Sequence, residues 1–408
     1  MAISRIALAK LKEAALHQGR VDSISARSRS IHATYRYPAR FSPEFAREAI
    51  LAFTSPRDLV VDPFCGGGTS VVEAVSLGRR VFANDLSPLA AFITDARTTF
   101  YQPTDFRSVE KWVKECFAMK VWTAHSMLAN RKEEAFNLGV LDSSELRQVK
   151  SLLLAWESLA ADIESGEKLA RLILLRVGQR SLDLRQHVPS VDEIRKSLIE
   201  CAEATCHAVL DLGQDIQISW NMKKPTGAVR VECGRAENLL SRQPRRRIAA
   251  DLLLFSPPYP GVHVLYQKWQ VLGRRETPLP FVLAGVTGKT SENYYTMGDR
   301  DAKTATEQYM DNYRKIITEL KRTLKPGGLM VQMIGFSKPL EQLPQLLQIL
   351  RQNGFEEVRY KSLATGDDGR LWRGVPGLKW YSATRSSATH SSRELVLIHR
   401  HRPSAPDC

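Results

Sequence analysis

Two short segments carry residue types at spacings that could do chemistry. The first is Asp62-Pro63-Phe64-Cys65-Gly66-Gly67-Gly68-Thr69. A strand-like apolar run, Asp58–Asp62, leads into it, and a helix-periodic run, Thr69–Leu77, leads out. Glycines in such a turn let the backbone approach a ligand closely and leave N–H groups at a helix N-terminus. The next strand-like run, Arg80–Asn84, ends beside Asp85, about 20 residues beyond the glycines, where a carboxylate takes the ribose hydroxyls of a nucleoside cofactor. A tight structural turn with a helix-capping Asp is the plain alternative. No Gly-Lys-Ser/Thr follows, which excludes a phosphate-gripping nucleotide loop.

The second segment is Ser256-Pro257-Pro258-Tyr259, directly after the buried-looking run Ala250–Phe255. In open α/β sheets ligands sit at the C-terminal ends of strands. Two prolines stiffen the backbone and fix the direction of its carbonyls. A tyrosine straight after them can offer its ring face to a planar base. Alone, the tetrapeptide would equally suit a linker or a docking peptide, and the strand before it argues against both.

Together the two segments resemble those of the S-adenosylmethionine-dependent methyltransferases that act on exocyclic amino groups of DNA, cytosine N4 or adenine N6. Asp62–Thr69 is similar to that family's first motif, and Ser256–Tyr259 to its catalytic motif in the form that begins with Ser, typical of the cytosine-N4 group. Tyr37-Pro38-Ala39-Arg40-Phe41-Ser42-Pro43 resembles a cofactor-side segment that precedes the first motif, and Gly234-Arg235-Ala236 an adenine-side motif. The resemblance covers residues 31–100 and 228–400.

The resemblance implies a Rossmann-like methyltransferase sheet and a division of labour. Asp62, Phe64, Gly66, Gly68 and Thr69 would lie on the cofactor side, with the backbone of Gly66–Gly68 at the methionine part. Asp85 would take the ribose, Leu86 and Ala236 would flank the adenine, and Tyr37 and Phe41 would line the sulfonium pocket or serve as plain core aromatics. The Ser256 hydroxyl and the Pro257 carbonyl would hold the two hydrogens of the target amino group, Pro258 would stiffen the corner, and Tyr259 would stack on a flipped base. It also implies DNA as partner, a restriction-modification or other bacterial defence setting with or without a cognate nuclease, and a cytoplasmic location. Carbon-5 methylation needs a thiolate, and no Cys stands beside Pro257.

Around these motifs strands and helices alternate. Val229–Cys233, Leu329–Ile334, Phe355–Lys361 and Glu394–His399 bring the strands to seven, and Thr306–Leu324 and Leu340–Asn353 are helix-periodic. The alternation predicts an α/β fold with a mostly parallel sheet. The expected organisation is an N-terminal helical arm (1–30), a catalytic domain (31–103 and 225–402), a large helical insertion (104–224), and a loop region (261–305) that serves target recognition or closes as a lid. That loop mixes aromatics with cations, among them Lys268, Trp269, Arg274, Arg275 and Tyr294, which suits stacking and phosphate contact. Arg245–Arg247 reads as a solvated turn or a phosphate clamp.

Composition bounds the partners. The 408 residues carry 58 Lys+Arg and 44 Asp+Glu, a net charge of +14, which suits a polyanion as well as a merely basic surface. No apolar run reaches the roughly 20 residues of a membrane span, and the N-terminus lacks the apolar core of a secretory signal. Six scattered Cys, without His clusters, read as reduced thiols and predict no metal site. Oligomeric state is left open. The rival readings are an adenine-N6 DNA methyltransferase, a tRNA guanine-N2 methyltransferase, and a non-catalytic DNA-binding protein of the same fold. The tRNA enzyme needs a separate N-terminal RNA-binding domain, for which too few residues precede Tyr37.

Overall fold

The computed structural model describes residues 3–16, 26–37, 42–128, 143–223, 225–240, 248–260, 269–272, 274–276, 279–287, 297–298, 304–374 and 393–402. Helices α1 (Arg5–Leu16), α2 (Ala26–Ala33) and α3 (Pro43–Phe53) precede strand β1 (Leu59–Asp62). Then come α4 (Thr69–Ser76), β2 (Arg80–Asp85) and α5 (Pro88–Thr98). Five helices follow in sequence: α6 (Pro103–Ala118), α7 (Val121–Leu128), α8 (Ser144–Ala161), α9 (Glu167–Leu182) and α10 (Val191–Trp220). Strands β3 (Val229–Cys233), β4 (Ala250–Phe255), β5 (Trp269–Val271) and β6 (Arg274–Glu276) lead to the short helix α11 (Leu279–Leu283). The chain ends with α12 (Ala305–Thr323), β7 (Leu324–Gly335), α13 (Pro339–Gln352), β8 (Phe355–Glu357), β9 (Leu371–Gly374) and β10 (Arg393–His401).

Seven strands form the path β3-β2-β1-β4-β7-β10-β8, and β9 pairs with β10 to make an eighth. The first five run parallel, whereas β10 is antiparallel to each of its neighbours. Going from β1, the chain builds outward through β2 and β3, then returns to β4 on the other side of β1 and builds outward the other way. The reversal makes the C-terminal ends of β1 and β4 the topological switch point, where an open α/β sheet leaves a crevice.

The apolar runs that predict these strands are unbroken because both sheet faces are covered. Val60, Leu252, Leu254, Val331 and Met333 enter the larger core, together with α4, α5 and helices α6 to α10. Val61, Leu253, Phe255, Met330 and Ile334 enter the other, against α12 and α13. The period-two split fixes the register, since a slip by one residue would exchange the two sets.

Helices α6 to α10 share the larger core with one face of the sheet. Trp220 near the end of α10 donates its indole N–H to Val75 O in α4 at 3.1 Å. Arg171 in α9 pairs with Glu157 in α8 at 2.9 Å, both buried. Strand β5 is fastened to the same helices. Trp269, grouped by sequence with nucleic-acid contacts, is instead 3% exposed and donates its indole N–H to the Tyr35 hydroxyl at 3.0 Å. Its ring lies against Gly178 of α9, where an added Cβ would stand 2.7 Å from Trp269 Cη2. An aromatic residue in a Gly- and Arg-rich stretch reads as surface until a facing glycine shows the slot made for it. Among the described residues no helix is long and apolar enough to cross a membrane.

The Gly178–Trp269 contact is testable. Gly178→Val should force the indole out of its slot, cost about 1–3 kcal/mol of stability and lower Tm by several degrees. Calorimetric melting with tryptophan emission checks it, and an unchanged Tm with unshifted emission would refute the packing.

Candidate active site

Strand β1 ends in a buried carboxylate. Asp62 accepts the Phe64 N–H at 3.0 Å and the Ser70 hydroxyl, which ties the strand end to the first turn of α4. Burial pushes its pKa up to about 7. The turn then closes through Gly68 N–H to Cys65 O at 2.8 Å, and Cys65 N–H bonds Asn84 O on β2 at 3.0 Å. Gly68 caps α4 with φ +79°, a left-handed conformation that side chains disfavour. The Thr69 hydroxyl at the start of α4 is buried with no hydrogen-bond partner among the described residues. A buried polar atom left over at a helix N-terminus fits a ligand that supplies the missing bond.

Asp85 closes this side. One oxygen accepts Gly66 N–H at 2.8 Å and the other accepts Ser87 N–H at 2.8 Å. Leu86 N–H is a further backbone donor to this carboxylate, and of its roughly four lone-pair sites the half-buried group keeps one for a hydroxyl. Burial raises its pKa to about 6, against these backbone bonds, which pull it down. The Gly66 amide is therefore already engaged and is not a donor to spare. Asn84 Nδ2 donates to Pro63 O at 3.2 Å and Gly234 O at 2.9 Å, and Gly234 N–H bonds Asp85 O at 2.8 Å. These bonds draw the β3 end, with buried Ala236 just beyond it, towards Asp85 and half-buried Leu86.

Tyr37 and Arg97 form the back wall of the glycine turn. A Cβ on Gly67 would stand 2.7 Å from Tyr37 Cβ, so no larger residue fits there without displacing that segment. Arg97 in α5 is 1% exposed. It donates to Gly67 O, to Tyr35 O at 2.5 Å, to Thr34 Oγ1 at 3.0 Å and to His32 O at 3.4 Å. Sequence reading missed Arg97, although it sits four residues after Ile93 on the buried face of α5.

The second motif stands next door. β1 and β4 pair in parallel with Val61 opposite Leu253, so the two turns leave adjacent strands at the same end of the sheet. The Phe64 and Phe255 rings bridge them, with centroids 5.8 Å apart. The Ser256 hydroxyl donates to Met333 O at 2.9 Å and lies 3.2 Å from the Tyr259 hydroxyl. Tyr259 donates to Glu394 Oε1 at 2.8 Å, and Glu394 Oε2 takes Arg373 Nε at 2.7 Å. Pro258 O is held by the Tyr309 hydroxyl at 2.7 Å. Pro257 O has no partner among the described residues. The Tyr259 ring covers Gly335, where a Cβ would come within 2.8 Å of it. Burial, and Glu394 after it, raise the Tyr259 pKa well above the usual phenol range. Glu394 and Tyr309 come from far along the chain and carry no motif, whereas Arg373 lies in a C-terminal stretch, Arg370–Arg393, whose cations and aromatics read as able to close on DNA or cofactor.

The described residues thus bring Asp62, Phe64, Gly66, Gly68, Thr69, Asp85, Leu86, Ala236 and Tyr37 around one turn, beside Ser256–Tyr259. Phe41, Lys268 and Tyr294 lie outside the described residues. Arg274 and Arg275 lie in β6, of which the backbone alone is described. Cys65 offers no nucleophile. Burial first, then Asp85 and Asp62, hold its thiol pKa well above the ordinary value.

Comparisons with known proteins agree with the resemblance seen in the motifs. Residues 17–96 match the family model of the N6/N4 type described as DNA methylase. The chain is 23% identical over 145 residues to the Type II methyltransferase M.MjaII of Methanocaldococcus jannaschii, covering 36% of this chain and 24% of that protein. It is 34% identical over 76 residues to the Type II methyltransferase M.MvaI of Kocuria varians, covering 18% of this chain and 17% of that protein. The matches therefore span under a quarter of these relatives' own length. Solved structures with a similar course include the rRNA methyltransferase aviRa of Streptomyces viridochromogenes, at 11% identity and TM-score 0.37, covering 94% of this chain and 96% of that one. TrmN of Thermus thermophilus follows at 13% and TM-score 0.34, covering 92% of this chain and 53% of that one. Likenesses this distant carry no weight for function.

The buried carboxylates make stability pH-dependent. A folded pKa of about 7 for Asp62, above the ordinary carboxylate value of 3.8, favours folding while the group is protonated. That contribution is complete below the unfolded pKa and is lost as pH rises towards 7. Asp62→Asn should remove it, so its Tm relative to wild type should rise by a few degrees between pH 5 and pH 8. A Tm difference that is constant, or falls, over that range would contradict the buried acid.

Proposed function

We propose that this protein is a DNA methyltransferase that moves a methyl group from S-adenosylmethionine to an exocyclic amino group, cytosine N4 in preference to adenine N6. The observation that carries the reading is the hydrogen-bonded pairing of β1 with β4, which opens Asp62–Thr69 and Ser256–Tyr259 on one crevice. The preference for cytosine rests on Ser at position 256. Both matched curated relatives are named type II methyltransferases, which supports a restriction-modification setting. DNA is the partner, and the basic excess favours it by releasing counterions from the phosphates.

The residues present fit the donor. When bound, it supplies an electrophilic methyl on a sulfonium. Asp85 takes a ribose hydroxyl on its remaining acceptor capacity. The unpaired Thr69 hydroxyl and the turn of Gly66–Gly68 face the polar methionine part, and Leu86 and Ala236 give the adenine apolar walls. Tyr37 backs the glycine turn and keeps it in place. Asp85 accepts best when ionised, so affinity falls as pH drops through about 6.

An exocyclic amino nitrogen is a poor nucleophile because its lone pair is delocalised into the ring. Ser256, with its hydrogen given to Met333 O, keeps lone pairs to accept one amino N–H. Pro257 O accepts the other. Holding both hydrogens pushes the nitrogen towards tetrahedral geometry and stabilises charge as it develops. The Tyr259 ring stacks on the base. A base inside a duplex is out of reach, so it enters flipped out of the helix. Alignment of the nitrogen with the methyl carbon supplies much of the remaining acceleration.

Ser256→Ala should cut single-turnover methylation by about 100-fold or more, and Tyr259→Ala should lose about 1–3 kcal/mol of base stacking. Both should keep wild-type cofactor affinity by calorimetry, and a wild-type rate in either would break the assignment. Asp85→Ala should weaken cofactor binding about 10- to 100-fold, in line with the loss of hydrogen bonds to a charged acceptor. An unchanged dissociation constant would remove Asp85 from the site.

A further inference from the structure

The Ser256 corner contains more than the transfer itself needs. Ser256 Oγ lies on the donor side of its 3.2 Å contact with the Tyr259 hydroxyl, and that hydroxyl donates to Glu394 Oε1 at 2.8 Å. Glu394 comes from β10 and is 6% exposed. Its second oxygen takes Nε and Nη2 of buried Arg373 at 2.7 and 2.6 Å. At rest the Ser256 hydrogen lies on Met333 O, and once it turns to the Tyr259 oxygen every donor in the line runs the same way, from the serine to a carboxylate. Fixing a tyrosine ring needs no more than a neutral acceptor for its hydroxyl. A buried carboxylate with its matching guanidinium is a costly choice for that task alone.

Methylation of an amino group releases a proton, and the line offers it a destination. We propose that Glu394 is the terminal acceptor of that proton, reached through the hydroxyls of Ser256 and Tyr259. The inference rests on the methyltransferase reading above. The N–C bond forms as the S–C bond breaks, and the bond's electron pair stays on sulfur, which leaves as a neutral thioether. As positive charge builds on the nitrogen it gives its proton to Ser256 Oγ, Ser256 passes its own to the Tyr259 oxygen, and Tyr259 passes its own to Glu394, within the same barrier as the methyl transfer. The positive charge that entered as a sulfonium ends by neutralising the carboxylate. Arg373 holds that carboxylate in place beforehand. A carboxylate is a weak base, but a methylated aromatic aminium is a much stronger acid, so the transfer runs downhill. Met333 O, the other acceptor of the Ser256 hydrogen, cannot keep a proton and holds the hydroxyl at rest.

Two variants separate a proton path from mere support. Tyr259→Phe keeps the ring and the Glu394–Arg373 pair but cuts the line. Glu394→Gln keeps an acceptor for the tyrosine hydroxyl but removes the base. Rapid-quench single-turnover methylation of DNA with labelled S-adenosylmethionine is measured across pH, with cofactor and DNA affinities alongside. Both variants should be about tenfold slower or more at neutral pH, with wild-type affinities, and should recover as pH rises and solvent bases take the proton. Infrared difference spectra after one turnover should show a protonated-carboxyl band in the wild type that Glu394→Gln lacks. Wild-type rates in either variant overturn the proposal, as does a loss that ignores pH or a carboxyl band that survives in Glu394→Gln. Failure of the methyltransferase reading looks different, since the wild type itself would then transfer no label to DNA.

Discussion

The parallel pairing of β1 with β4 is the constraint on which the site depends. Neighbouring strands lie about 4.8 Å apart, and the register of Val61 against Leu253 sets both strand ends at one level. Whatever leaves those ends must share a crevice. The apolar sidedness of the two strands enforces the register, because each residue belongs to one of two different cores. The chemistry is thus positioned by hydrophobic sorting some distance from any reacting atom.

Buried polar groups then shape the turns. Arg97 clamps the glycine turn to the segment before α3, Asn84 joins the ends of β1, β2 and β3, and Glu394 with Arg373 holds the tyrosine. Each of these groups would cost about 1–3 kcal/mol if left unpaired, so each tolerates few arrangements. Asp62 and Asp85 go further, since burial lifts both pKa values towards neutrality. Carboxylates held against their solvation preference are expected where a ligand's hydroxyls complete their hydrogen bonds.

Much of the frame is legible in the sequence. The strand ends at Asp62, Asp85 and Phe255 follow from short apolar runs, and α4, α12 and α13 begin and end within two residues of their periodic patterns. The two motifs announce themselves because glycine and proline restrict the backbone locally. What escapes is non-local. β9 is four residues long and is a strand because β10 is there to pair with it. Glu394 meets Tyr259 across 135 residues, and nothing in either neighbourhood marks the contact. Trp269 shows how composition misleads, since a Gly- and Arg-rich stretch looks solvated while its indole fills a slot over Gly178. Helix α3 was readable, with Ser42 as cap and Pro43 in its first turn, yet a motif overlapping its start draws attention away.

The most direct test of this account identifies the product. DNA incubated with the protein and methyl-labelled S-adenosylmethionine is digested to nucleosides, and the label is located by chromatography with mass spectrometry. The proposed function, with Ser256 at the corner of the crevice, predicts label in N4-methylcytosine. Label in 5-methylcytosine, or DNA that stays unlabelled under conditions where the protein binds both DNA and donor, would contradict it.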